Sequence, residues 1–210
     1  MEFVGIDPSE VQVGISRKVA AALSLGNLRF EAVGAEALDE SWGRFDYVLC
    51  HGVYSWVPPS VRSAILDACR RLLSPCGIAY VSYNVKPGFH LRQPVREMML
   101  WHNRGLSDPR QQIGQSRALL KFLAGNALNP EGAWGKLLAE EAGLVAPRGD
   151  YYVAHEHLEQ ENEAFYFHEF AAEARRHGLQ YLCDAGNHMN LEAFPPEARK
   201  TLTGMSEDLV

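Results

Sequence analysis

The chain has 210 residues, 47% of them hydrophobic and 22% charged, with a net charge of −6. That balance excludes a tracker of nucleic-acid phosphates, which concentrates Lys and Arg on one face, and no apolar run approaches the ~18 residues that a membrane span needs. Cys50, Cys69, Cys76 and Cys183 show no C-x-x-C spacing, so neither a zinc site nor a disulfide framework is expected, and a reduced, cytoplasmic setting is.

The chain opens inside an apolar run, residues 3–6, that ends at Asp7-Pro8-Ser9. This pattern predicts a strand followed by a capped helix, with Pro8 in its first turn. Apolar positions recur at helical spacing from Val11 to Leu25, and Gly26-Asn27 supplies a stop. Leu28 to Val33 reads as a second strand. Phe45 to Cys50 reads as a third, nearly continuous in apolar character, as strands buried on both faces are. Pro58-Pro59 opens a helix to about Leu73, Ser74-Pro75-Cys76-Gly77 predicts a turn, and Ile78 to Tyr83 a fourth strand. Strands alternating with helices imply βαβ units, a parallel sheet, and strand ends gathered on one rim.

Beyond residue 91 the rhythm changes. Residues 92–104, 110–124 and 131–143 read as consecutive helices without a strand between them, hence an inserted helical module. Tyr151 to His155 reads as extended, residues 164–177 as helix, and a returning strand is expected over 179–184. A short helix follows Pro195-Pro196. The predicted organisation is a core over residues 1–90 and a second part over 91–210, with no internal repeat.

Four rim segments carry chemistry. Asp7, at a strand end, can accept hydrogen bonds from both hydroxyls of a ribose, although an Asp before Pro also serves as a helix cap. Gly34-Ala35-Glu36 would let an adenine approach the backbone, or form a simple turn. Cys50-His51-Gly52-Val53-Tyr54-Ser55-Trp56-Val57-Pro58 places His, Tyr and Trp in one loop after a buried strand, which points to a pocket wall or to a hydrophobic lid over the sheet. Tyr83-Asn84-Val85-Lys86-Pro87-Gly88-Phe89-His90 follows the fourth strand onto the same rim. His155-Glu156-His157 and His168-Glu169 lack the H-E-x-x-H spacing of a zincin, and no metal role is assigned to them.

Taken together, the Asp7, Phe45–Pro58 and Leu73–Asn84 segments resemble the class I methyltransferase core. Pro87 to His102, Asp150 to Leu158 and Asn162 to Phe170 are similar to bacterial methyltransferases with a predicted regulatory domain, and to the rickettsial protein lysine methyltransferases. The resemblance implies an α/β fold with a Rossmann-like, mostly parallel sheet, and S-adenosylmethionine as cofactor. It implies that Asp7 holds the ribose, that Gly34, Ala35 and Glu36 lie near the adenine, and that Cys50 and His51 flank the methionine end. Tyr54 and Tyr83, taken as catalytic, would border the methyl-acceptor pocket, with Trp56, Asn84 and His90 binding the acceptor. That acceptor is left open, a protein side chain being one candidate.

The family's first strand and its E-x-G-x-G-like cofactor loop precede the segment where this sequence begins. The sheet is therefore expected to lack its usual first strand, and this stretch to be weak or inactive alone. The rival reading is a non-catalytic regulatory or partner-binding module on the same scaffold. An NAD-type dehydrogenase also uses a strand-end acid, but it does not account for the His51–Pro58 loop.

Overall fold

The computed structural model describes residues 1–186, 192 and 194–205. Strand β1 (Phe3–Ile6) pairs in parallel with β2 (Leu28–Glu31), Phe3 opposite Leu28 and Gly5 opposite Phe30. Helix α1 (Glu10–Ala22) makes the crossover. Ser9 caps it, its hydroxyl accepting the Gln12 N–H at 3.4 Å, so Pro8 lies one residue before the cap and not in the first turn. The helix stops before Gly26: Ser24 takes the left-handed turn at φ +55°.

The second unit is built the same way. Strand β3 (Phe45–Cys50) pairs in parallel with β4 (Leu73–Val81) across helix α2 (Pro59–Leu72). Pro59 opens α2, where a missing N–H costs nothing. Arg62, Ile65, Leu66, Cys69 and Leu72 form its buried stripe at three- and four-residue spacing. That stripe packs on Val48, Cys50, Ala79 and Val81, the alternate residues of β3 and β4. Each fully buried aliphatic side chain there contributes about 1.5–3 kcal/mol.

The turn expected at residues 74–77 is absorbed into β4 as an irregularity. Phe45 faces Leu73, but Tyr47 already faces Ile78. Gly77 makes this possible: an added Cβ would lie 2.9 Å from the Phe45 carbonyl oxygen.

The α/β class and the parallel pairing hold, and the two strand pairs stay separate where the expected sheet lacks its usual first strand. Among the described residues, β1 bonds only to β2 and β3 only to β4. A third parallel pair joins β5 (Asn84–Val85) to β6 (Ala164–Phe165). Helix α7 (Phe167–Arg176) follows, with Tyr166 at its cap and the Glu169 carboxylate accepting the Tyr166 N–H at 2.9 Å.

Helices α3 (Gln93–Asn103), α4 (Pro109–Gly125) and α5 (Ala133–Val145) form the helical module. They bury a separate core of Val95, Met99, Ile113, Leu120, Leu138 and Val145. Gly135 lets α5 touch the preceding turn, since a Cβ there would lie 2.4 Å from the Asn129 carbonyl oxygen. Residues 151–155 are helical, not extended. Helix α6 (Asp150–Val153) runs into a π-helical turn, Ala154–Leu158, and Val153 and His157, four apart, both face the core.

The strand expected over 179–184 does not form. Leu179 instead packs against the α2 core, and Tyr181 meets Phe167 edge-on at 4.8 Å. Helix α8 (Pro196–Met205) buries no residue, Ala198 and Arg199 being half-buried, and the remainder of the sequence to residue 210 lies outside the described residues. No helix among them is long and apolar enough to cross a membrane.

Candidate functional site

Parallel strands deliver their C-terminal ends to one rim. Asp7 stands just past β1, half-buried. Its Oδ1 accepts the Ser9 N–H at 2.8 Å, and its backbone N–H reaches the Glu31 carbonyl at 3.3 Å. Ser9 does the capping, so Asp7 only props the turn, and Oδ2 keeps no protein partner among the described residues. Past β2, Gly34 is extended and Ala35–Ala37 form a tight turn. A Cβ on Gly34 would meet only the flexible Glu36 carboxylate, at 2.7 Å, while Ala35 packs against the α2 core and Glu36 is exposed.

Past β3 the two neighbours diverge. Cys50 faces the core, and burial pushes its thiol up to about 11. His51 faces solvent, its Nδ1 2.9 Å from Ser82 Oγ and 3.4 Å from the Tyr80 hydroxyl. Gly52 turns the chain at φ +69° and donates its N–H to Ser82 Oγ at 2.8 Å.

Tyr54 and Tyr83 come together, in an aromatic cluster. Tyr54, 3% exposed, meets Phe165 and Phe170 edge-on at 5.4 and 5.3 Å and Tyr83 at 6.3 Å, and Tyr83 stacks on Phe170 at 4.2 Å. Burial pushes both phenols up to about 12, so each keeps its proton at neutral pH. Phe170 is thus part of the α2 core, whereas Tyr166 is exposed.

Trp56 lies flat on His155, 4.8 Å between rings and 17° between planes, and the other partner of His155 is Tyr151 at 6.0 Å. The indole Nε1 of Trp56 is buried without a hydrogen-bond partner. Asn84 donates its backbone N–H to Ser55 Oγ at 2.8 Å and its amide to Asn162 Oδ1 at 3.0 Å. His90 stands apart from this cluster, 3.4 Å from the Tyr166 hydroxyl.

Sequence reasoning missed the clamp that fixes this rim. Ser55 is fully buried; its carbonyl accepts the Glu163 N–H at 2.8 Å, and Glu163 pairs with buried Arg62 at 2.5 Å. Arg62 in turn lies over the Phe165 ring at 5.0 Å. The only advance signal was an arginine at a core position of α2, which demands a partner. Segment 162–165 therefore closes the rim beside Tyr54 and Tyr83, joined to it by the β5–β6 pair.

His155, His157 and His168 each have a partner within the chain. His157, 2% exposed, places Nε2 3.1 Å from Glu141 Oε1, His155 is held in the ring stack, and His168 stacks on Tyr166 at 5.5 Å. The hydrogen bond from His157, with Arg92 nearby, holds the Glu141 carboxyl below its ordinary range.

Residues 1–77 match the family described as a methyltransferase domain, and residues 149–210 match the predicted methyltransferase regulatory domain. A protein of Rickettsia prowazekii is 38% identical over 181 residues, covering 86% of this chain and 72% of that one. The chain belongs to this methyltransferase family. A second, longer R. prowazekii protein is 44% identical over 206 residues, 98% of this chain and 37% of that one. The structure of PKMT2 from Rickettsia typhi in complex with AdoHcy superposes with a TM-score of 0.86 at 36% identity, covering 99% of this chain and 40% of that one. The methyltransferase chain thus spans well under half the length of these two longer relatives.

Proposed function

We propose that this chain carries the cofactor rim and acceptor wall of an S-adenosylmethionine-dependent methyltransferase, residues 1–90 forming the core and 91–210 the helical insertion and regulatory part. The observation that supports this most is the likeness, over nearly its whole length, to PKMT2 captured with AdoHcy, the product of methyl donation. The rim residues fit that ligand chemically. Asp7 retains a free carboxylate oxygen for the ribose hydroxyls, the Gly34-Ala35-Glu36 turn offers backbone to the adenine, and His51 stands at the methionine end, with the Cys50 side chain behind it in the core.

In the reaction, the acceptor's lone pair attacks the methyl carbon in line, and the carbon–sulfur bond breaks with its electron pair staying on sulfur. Such a displacement needs alignment and a desolvated wall more than a dedicated acid. Tyr83, half-buried, supplies an electron-rich face beside the reacting cation, and Tyr54, buried, packs behind it. Trp56 and Asn84 line the acceptor side, His90 lying outside it, and the acceptor is a protein side chain. The setting is the cytoplasm, and this stretch alone turns over weakly. Calorimetric titration with S-adenosylhomocysteine tests the reading. Binding in the micromolar range that Asp7→Ala weakens at least tenfold supports it, and a folded sample that binds nothing overturns it.

A further inference from the structure

Trp56 keeps one polar atom unused. Its indole Nε1–H is buried without a hydrogen-bond partner among the described residues, and an indole can only donate. The ring beside it does not satisfy that donor. His155 lies flat on the indole, 4.8 Å between centroids and 17° between planes, and Tyr151, 80% exposed, stacks on His155 in turn. His155 belongs to the π-helical turn Ala154–Leu158, a rare geometry that recurs at functional sites.

The turn is tied unequally. On the module side, His157 Nε2 lies 3.1 Å from Glu141 Oε1, both side chains buried, and Arg92 reaches Glu141 and Glu156 at 3.9 Å each. Behind the turn, Arg96 donates to the Glu159 and Gln160 carbonyls. On the rim side, the ties among the described residues are the His155 stack and a bond from Asn162 Nδ2 to the Glu156 carbonyl at 3.2 Å. The rim side is therefore the one that lets go first.

We infer that this turn is a strap closed over Trp56, with His155 holding the place of the methyl-acceptor polypeptide, and that opening presents the indole N–H to a backbone carbonyl of that polypeptide. The inference rests on the reading of Trp56 as an acceptor-side residue and names how it binds. Donor-only chemistry selects an oxygen that accepts, and every peptide unit carries one. Glu159 and Glu161, exposed beside the strap, disfavour a carboxylate in the same place. His155 covers the ring without satisfying the N–H, so the polypeptide that displaces it makes a hydrogen bond that the closed form lacks. The stack is thus a gate, and it takes no part in methyl transfer.

The test reads the Trp56 indole proton by NMR in the full chain, with N-methylacetamide as the carbonyl probe and no cofactor present. Trp56→Phe assigns the resonance among those of the four tryptophans, and exposed Trp101 is the internal control. In the wild type the Trp56 indole exchanges with water more slowly than that of Trp101, and N-methylacetamide shifts it little. His155→Ala speeds its exchange about three- to tenfold, the size of one aromatic pair. The same variant lets N-methylacetamide move the Trp56 resonance downfield, while Trp101 responds as before. His155→Phe, which keeps a flat ring, keeps the site closed. Tyr151→Ala acts in the same sense as His155→Ala, by about twofold.

A wild-type Trp56 indole that exchanges as fast as Trp101 overturns the strap, as does exchange that His155→Ala leaves unmoved. Opening as large in His155→Phe as in His155→Ala overturns the stack as the closing contact. Faster exchange with no response to N-methylacetamide overturns the carbonyl assignment. Titration with S-adenosylhomocysteine keeps the two readings apart. A chain that binds it while Trp56 stands open in the wild type loses the strap alone. A chain that shows the gated indole but binds no S-adenosylhomocysteine loses the cofactor reading, and with it the strap's role toward a methyl acceptor.

Discussion

The β1–α1–β2 and β3–α2–β4 units share one plan, two parallel strands and a crossover helix, yet they bury very different amounts of themselves. Helix α2 turns six residues into the core, Leu66 and Cys69 completely, and is backed by the Tyr54–Phe165–Phe170 cluster. Helix α1 buries only Val13 and Ala20, while Val11, Ile15, Val19 and Leu23, an i, i+4 stripe, remain exposed. The proposed roles divide along the same line. The residues proposed for ribose and adenine stand on the lightly packed unit, and those proposed for the methionine end and the acceptor stand on the densely packed one. On the proposed roles, a rigid acceptor wall would stand beside a more yielding cofactor cradle, which suits a displacement that depends on alignment.

The sharpest way to break that comparison is truncation within the cores. Tyr54→Ala or Leu66→Ala removes a side chain that cannot be replaced by water and costs about 3–5 kcal/mol, whereas Val13→Ala costs at most about 2 kcal/mol. Urea unfolding midpoints measure both, and equal losses would erase the distinction between the units. Next comes the clamp. Ser55→Ala leaves the half-buried Asn84 N–H without its acceptor and costs about 0.5–1.5 kcal/mol, which a Ser55→Thr variant with its hydroxyl retained avoids in part.

A smaller effect separates the helical module from both units. The folded Glu141 carboxyl titrates below its unfolded value, by its hydrogen bond from His157 first and Arg92 second. Its stabilising contribution is therefore complete above the ordinary carboxylate value of about 4.3 and is lost as pH falls through the lower folded value. Unfolding followed between about pH 6 and pH 3 should show this loss, and Glu141→Gln should flatten it. Last, burial raises the Cys50 and Cys69 thiols to about 11 and about 12. At about pH 8 iodoacetamide should label only the exposed Cys76 and Cys183 in the folded chain, because a buried thiol yields little thiolate. Rapid labelling of Cys50 would show that the dense unit opens more readily than its packing implies.

How far the sequence disclosed this arrangement depended on the range of the interactions. The βαβ units were legible because their signals are local: Ser9 before Glu10, Pro59 at a helix start, and apolar residues in α2 at core spacing. The rim segments after β1, β3 and β4 followed from strand ends. What stayed hidden depends on distant partners. Ser55 looked like a loop serine, and only the fold brings Glu163 and Asn84 to it. Tyr151 to His155 reads as extended by its β-favouring residues, but Val153 and His157 fill the α3–α5 core, and tertiary burial decides for helix. The Leu179–Asp184 stretch has strand-like composition without a ladder to join. Ser74 to Gly77 reads as a turn because proline and glycine are there. The strand runs through nonetheless, the Gly77 position allowing the backbone to close on Phe45.

Hydrogen–deuterium exchange with and without S-adenosylhomocysteine tests the central claim most directly, because it reads both units in one experiment. The account predicts that residues 50–57 are slow in the free chain and 5–9 and 33–37 fast, and that ligand slows all three segments, the latter two most. Ligand that leaves the ends of β1 and β2 unprotected, or protects only the helical module, would contradict it.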